Sequence, residues 1–241
     1  MGLLQWLAQW NWSQAEAELA AAPDPSLKGI LEALPPYPAT VSEELPPKGH
    51  IEGLWNRINY PSDPRRIRRG KIGSFVALDV ETTGLNAPTC EIIEVAAIRF
   101  RDCCPVEKYV TLTSTKKPLP AELYTINHIS PAMLQGKPRF REIASSLLDF
   151  IGSDNLVGHN LIFDLRFIIK HGADVTGSRR CYFDTMRIAK DEIGKNHVLD
   201  FKLGTLCEYF NIDNPSTHRA EGDAIATGAL FLKLMDREIS F

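Results

Sequence analysis

Three apolar, β-branched runs joined by short links constrain this chain more than any other feature: Phe75 to Leu78, Ile92 to Phe100 and Tyr109 to Thr113. Such runs read as buried strands, and short links favour antiparallel neighbours. Beyond them the pattern changes to alternation. Phe140, Ile143, Leu147, Leu148 and Ile151 recur at helical spacing, and Asn155-Leu156-Val157 reads as a short strand. Leu161 to Lys170 reads as a helix, Cys181-Tyr182-Phe183 as a last strand, and helices follow from about Leu203 to Tyr209 and from Ala220 to Asp236. A meander followed by strand–helix alternation predicts an α/β domain with a mixed sheet and helices on its faces.

Residues 1–70 are different material. All four tryptophans (Trp6, Trp10, Trp12, Trp55) and nine of the sixteen prolines lie in residues 1–64, which carry three basic against eight acidic side chains. Ser13 with Glu16 makes a capping-box signal, and Ser26 precedes Leu27, Ile30, Leu31 and Leu34 at helical spacing. Pro35-Pro36-Tyr37-Pro38 and Leu45-Pro46-Pro47 read as extended joints, and a further short helix near Ile51 to Ile58 carries Trp55. The chain therefore divides into an N-terminal Pro/Trp-rich helical extension, 1–70, and a domain at 71–241. The extension either packs as a cap on the domain or docks to a protein partner. Arg65, Arg66, Arg68, Arg69 and Lys71 form a basic seam, suited to a phosphate backbone or to a solvated linker.

Composition removes several classes. A net charge of −3 excludes a polybasic coat for nucleic acid. Five cysteines without a C-x-x-C pair argue against a disulfide framework and a structural zinc site, so a cytoplasmic location is expected. No apolar run approaches the roughly 18 residues of a membrane span, and the first residues lack the character of an export signal.

The chemistry begins where the first strand ends, in Leu78-Asp79-Val80-Glu81-Thr82-Thr83-Gly84. Asp79 and Glu81, two apart on an extended chain, point to the same side. Two like charges at the end of a buried strand are unfavourable unless a cation neutralises them, and hard oxygen ligands suit Mg²⁺ or Mn²⁺. A second block, His159-Asn160-Leu161-Ile162-Phe163-Asp164, places Asp164 on the first turn of a helix. A third, His218-Arg219-Ala220-Glu221-Gly222-Asp223, sets His218 in a loop and Asp223 on the helix behind it. Together Asp79, Glu81, Asp164 and Asp223 supply enough carboxylate oxygen for two divalent ions about 3.5–4 Å apart. An imidazole, ordinarily titrating near 6.5, can take a proton from an attacking water at neutral pH. The remaining histidines His50, His128, His171 and His197 have no carboxylate constellation and read as surface or packing residues.

In this order the three blocks resemble the Exo I, II and III motifs of the DnaQ-like, or DEDDh, 3′–5′ exonucleases. They lie 85 and 59 residues apart, measured from Asp79 to Asp164 and on to Asp223. Ile92-Ile93-Glu94-Val95-Ala96-Ala97, Thr125-Ile126-Asn127-His128-Ile129-Ser130-Pro131 and Asp184-Thr185 are similar to family text as well. The likeness covers about Lys71 to Asp236. Within the family it is greatest to the proofreading epsilon or PolC-type exonuclease of bacterial DNA polymerase III.

The resemblance implies an RNase H-like fold with a mixed five-stranded sheet flanked by helices. It implies metal-dependent removal of nucleoside monophosphates from DNA 3′ ends, with RNA ends as the alternative and a nuclease-fold interaction module as another. Asp79, Glu81, Asp164 and Asp223 would hold two Mg²⁺ or Mn²⁺ ions, and His218 would be the general base. Thr82, Thr83, Gly84, Leu85, His159, Asn160 and Phe163 would meet the 3′-terminal nucleotides. Departures are small: Gly158 stands where Ala is common, Ser130 where Thr is common, and Gly222 directly before Asp223.

Overall fold

The computed structural model describes residues 26–61, 73–177, 179–194, 197–214 and 216–235. The Ser13–Glu16 signal, Trp6, Trp10, Trp12 and the basic seam lie outside them.

One mixed five-stranded sheet carries the molecule. Its strands are β1 (Phe75–Thr82), β2 (Ile92–Arg101), β3 (Cys104–Leu112), β4 (Asn155–Gly158) and β5 (Tyr182–Asp184), in the spatial order β3-β2-β1-β4-β5. β1, β2 and β3 pair antiparallel, while β4 lies parallel to β1 and β5 parallel to β4. The expected meander and crossovers are both present. β3 starts five residues before the predicted Tyr109, because the tight turn at Asp102 and Cys103, both with positive φ, brings Cys104 straight back into register with Arg101.

The helices are α1 (Leu27–Ala33), α2 (Leu123–Asn127), α3 (Pro131–Leu134), α4 (Phe140–Ile151), α5 (Leu161–Lys170), α6 (Thr185–Glu192), α7 (Leu203–Tyr209) and α8 (Ala220–Met235). Period-two alternation along β1 divides the core. Phe75 and Ala77 face a layer made by α1, α6, α7 and α8, whereas Val76, Leu78 and Val80 face α4 and α5. α2, α3 and α6 are not in the sequence reading. α6 is eight residues long and polar on average, with only Thr185, Ile188 and Ala189 forming its buried stripe. It starts because the Asp184 carboxylate accepts from the Met186 and Arg187 amides and caps it.

Residues 26–61 lie against this frame. Ser26 caps α1 by accepting from the Gly29 amide, and Leu27, Ile30, Leu31 and Leu34 are buried with Phe75 and Phe100. The chain then pairs with β3: the Tyr37 amide donates to the Lys108 carbonyl (2.7 Å) and the Lys108 amide to the Pro35 carbonyl (3.0 Å). It continues over α4 and α5, where the Ser42 amide reaches Glu142 and the Gly49 amide reaches Ile169. The helix expected near Ile51 to Ile58 shrinks to a single 3₁₀ turn, Leu54–Asn56, entered through Gly53 in the left-handed region.

Candidate active site

Strand parity places the first two acids. Asp79 and Glu81 continue the Phe75–Ala77 face of β1 and so point at the layer that contains α8. The pairing with β2 shifts register between Glu81 and Thr82, where the chain leaves the sheet. α8 begins at the same end, with Asp223 in its first turn. Asp79, Glu81 and Asp223 each offer a carboxylate oxygen, and these oxygens lie within 4.8 Å of one another.

Asp164 arrives from the opposite layer. It sits in the first turn of α5, is buried, and accepts the Val80 amide on Oδ1 at 3.0 Å. Val80 is the residue between the two β1 acids, so this bond fixes Asp164 against their backbone. All four predicted acids therefore meet at one end of the β1–β4 pair, three in mutual ligand reach and the fourth behind them.

Such a group of anions is unfavourable on its own. Burial, then Asp164, Asp223 and Glu81, push the Asp79 carboxyl well above the usual carboxylate range. Burial pushes Glu81 up to about 8, against a hydrogen bond from the Asn127 amide that favours its anion. Asp164 and Asp223 are raised as well, burial being the first cause in both. A divalent cation reverses that penalty, and the oxygen-only donor set fits one. Asp79, Glu81 and Asp223 thus suit a divalent metal by chemistry as well as by position, with Asp164 fixed beside them through Val80.

His218 precedes α8 in a loop, with positive φ and an exposed side chain. Its backbone amide donates to the Asp223 carboxylate, which also accepts from Asn214 Nδ2 at 2.6 Å. Gly222 has a packing reason: a Cβ there would lie 2.5 Å from the Ser216 carbonyl oxygen. That glycine lets the His218 loop fold onto α8. Gly158 is similar, since a Cβ there would press into Leu161.

The predicted substrate residues behave differently from one another. Thr82 donates its hydroxyl to the Gly84 carbonyl (2.7 Å), and Thr83 Oγ1 accepts from the Glu91 amide (2.9 Å). Their side chains hold the loop beside the acids. Gly84 is needed there because a Cβ would approach Cys90 Sγ to 2.9 Å. Leu85 is 87% exposed, and Phe163 is half-buried against Phe167. Asn160 is exposed, in the left-handed region, with its amide held by Asp184. His159 is committed elsewhere: one ring nitrogen meets Thr185 Oγ1 and the other the Phe201 carbonyl, both at 2.9 Å. Both ring nitrogens are therefore hydrogen-bonded within the protein.

The sequence reading gave no role to Glu94, Arg219, Asn127 or Asn214. Glu94 stood in plain view as a single acid within an apolar strand, directly opposite Glu81 in the ladder. Asn127 lay within the block similar to family text, whereas Asn214 carries no sequence signal, and only the folded loops bring the two to Glu81 and Asp223.

The exonuclease (RNase T) family model matches residues 76–231. The chain belongs to this exonuclease family, the DnaQ-like 3′–5′ exonucleases. It is 30% identical over 166 residues to DNA polymerase III subunit epsilon of Aquifex aeolicus, an alignment covering 68% of this chain and 81% of that one. It is 33% identical over 168 residues to the PolC-type DNA polymerase III of Bacillus subtilis, covering 67% of this chain. The match spans only 11% of that polymerase. Among solved structures, exonuclease X in complex with 5′ overhanging duplex DNA superposes with a TM-score of 0.55 at 23% identity, covering 68% of this chain and 92% of that chain. That likeness is one of fold. No helix among the described residues is long and apolar enough to cross a membrane.

Proposed function

We propose that this exonuclease removes nucleoside 5′-monophosphates one at a time from the 3′ ends of DNA by metal-dependent hydrolysis. The observation that carries the reading is the convergence of Asp79, Glu81 and Asp223 within 4.8 Å, beside a loop that presents His218, in a chain of this family. DNA is the favoured substrate because the relatives' names concern DNA polymerases and the solved relative was captured on duplex DNA.

Asp79, Glu81, Asp164 and Asp223 would hold two Mg²⁺ or Mn²⁺ ions. Held there, such ions supply positive charge that stabilises the crowded phosphoryl transition state and the departing 3′ oxygen. His218, exposed at the mouth, takes the proton of the attacking water and returns it to solvent. The backbone at Thr82, Thr83 and Gly84 lines the terminal nucleotide, Leu85 and Phe163 offer apolar surface to the terminal bases, and Asn160 steadies the strand. The scissile phosphate is thus placed between the β1 acids and the His218 loop.

The test is degradation of 5′-labelled single strands, as matched DNA and RNA, with Mg²⁺ or Mn²⁺. A ladder shortening from the 3′ end is expected, abolished by EDTA and by Asp79→Ala. His218→Ala should lower the rate by about 10²–10⁴ while metal still binds. Equal or faster loss of the RNA strand would reassign the substrate, and a DNA strand left at full length would sink the proposal.

A further inference from the structure

The catalytic base proposed above is an exposed side chain on a loop, and something must hold it still. Glu94 is positioned to do so. It is 1% exposed, sits on β2 opposite Glu81, and shares the face of the sheet that meets α8. Its Oε2 accepts from Arg219 Nε at 2.9 Å and from the Ala220 backbone amide at 3.0 Å, while Oε1 accepts from Arg219 Nη2 at 2.5 Å. One buried carboxylate on a rigid strand therefore grips a side chain and a main-chain group in the two residues that follow His218. A fork with two parallel bonds fixes direction as well as distance, which a single contact does not. On the other side the loop is stopped by Ser216 resting on Gly222.

We propose that Glu94 and Arg219 are a positioning pair for His218, an inference that rests on the exonuclease reading. The pair transfers the rigidity of β2 to the peptide carrying the base, so the imidazole meets the attacking water at a fixed distance. Both residues also bear electrostatically on Glu81, so the His218→Ala background separates an effect that passes through His218 from one that passes through the acids.

The experiment uses the full chain with Mg²⁺ and a 5′-labelled DNA strand, comparing Arg219→Gln, Arg219→Lys and Glu94→Gln with the parent, each also built in the His218→Ala background. Loss of near-attack geometry costs about 10–10²-fold. Arg219→Gln and Glu94→Gln should therefore lower kcat by about that factor with KM changed less than about twofold. Arg219→Lys, keeping the charge without the fork, should recover part of the rate. In the His218→Ala background the same changes should have no further effect. Amide hydrogen exchange gives a readout independent of turnover: exchange at 218–220 should quicken in Arg219→Gln while the β1 and β2 amides keep their protection. An equal fold loss with and without His218, or unchanged exchange at 218–220, overturns the pairing. A parent protein that shortens no strand sinks the exonuclease reading instead, and exchange then decides the pairing alone.

Discussion

Asp79 and Glu81 were legible in the sequence because a two-residue spacing on a strand puts both on one side, and Asp164 and Asp223 because their blocks resemble the family's motifs. The partners of His159 were not, because Thr185 and Phe201 are distant from it in sequence. Burial pushes the His159 imidazole down to about 4, opposed by its bond to the Phe201 carbonyl. In the unfolded chain an imidazole titrates near 6.5. Below that the unfolded state takes up a proton that the native state refuses until about 4. The stability tied to neutral His159 is therefore complete above pH 6.5 and lost as pH falls from 6.5 towards 4. Urea midpoints with EDTA should show the parent losing on the order of 2 kcal/mol over that interval relative to His159→Gln. Parallel curves for the two proteins would remove His159 as a titrating clamp.

α8 shows how one element serves both core and site. Its residues from Ala220 to Met235 are buried almost throughout, so no single apolar stripe marks it; it packs between β1, β2, α6 and α7. Its first turn is fastened twice, by Glu94 to Arg219 and by Lys108 Nζ to Glu221 at 2.9 Å. The same Lys108 donates to the Leu31 carbonyl at the end of α1, linking the extension to the helix that carries Asp223. Further along, Gly228 lies under Phe100, whose ring stacks on Phe75 at 4.5 Å and cannot swing away. A Cβ at Gly228 would sit 2.4 Å from Phe100 Cζ. Gly228→Ala should therefore cost about 1–3 kcal/mol by overpacking, a helix propensity gain notwithstanding. A melting temperature equal to the parent's would show that α8 can shift on the sheet.

The described part of the extension, residues 26–61, packs on the domain. Pro36 bridges to Lys108 on the edge strand β3, and Asn59 accepts the Tyr182 amide of β5 at the other edge. Residues 36–59 thus run from one sheet edge to the other across the α4–α5 layer, covering main-chain groups that would otherwise invite pairing between molecules. The family match begins at residue 76, so this wrapping lies outside it. Leu27, Ile30, Leu31 and Leu34 are each less than 10% exposed and together contribute several kcal/mol, at about 1.5–3 kcal/mol apiece. That is comparable with the roughly 5–15 kcal/mol that stabilises a whole domain. A protein starting at residue 73 should melt lower and aggregate at concentrations where the full chain is monodisperse, read by calorimetry and light scattering. A truncated domain as stable as the parent would separate the extension from the folding unit.

Sequence alone determined the order of the strands and of the larger helices through local periodicity, and singled out the four acids and the histidine through short motifs that resemble the family's. Parity along β1 even dictated that Asp79 and Glu81 share a side. Tertiary structure decided which layer that side faces, how Asp164 reaches Val80 from the opposite layer, and which residue holds His218. Those depend on contacts between segments far apart in the chain, such as Glu94 with Arg219, whose meeting no local rule encodes. They exist only once the sheet has closed and α8 has docked across it.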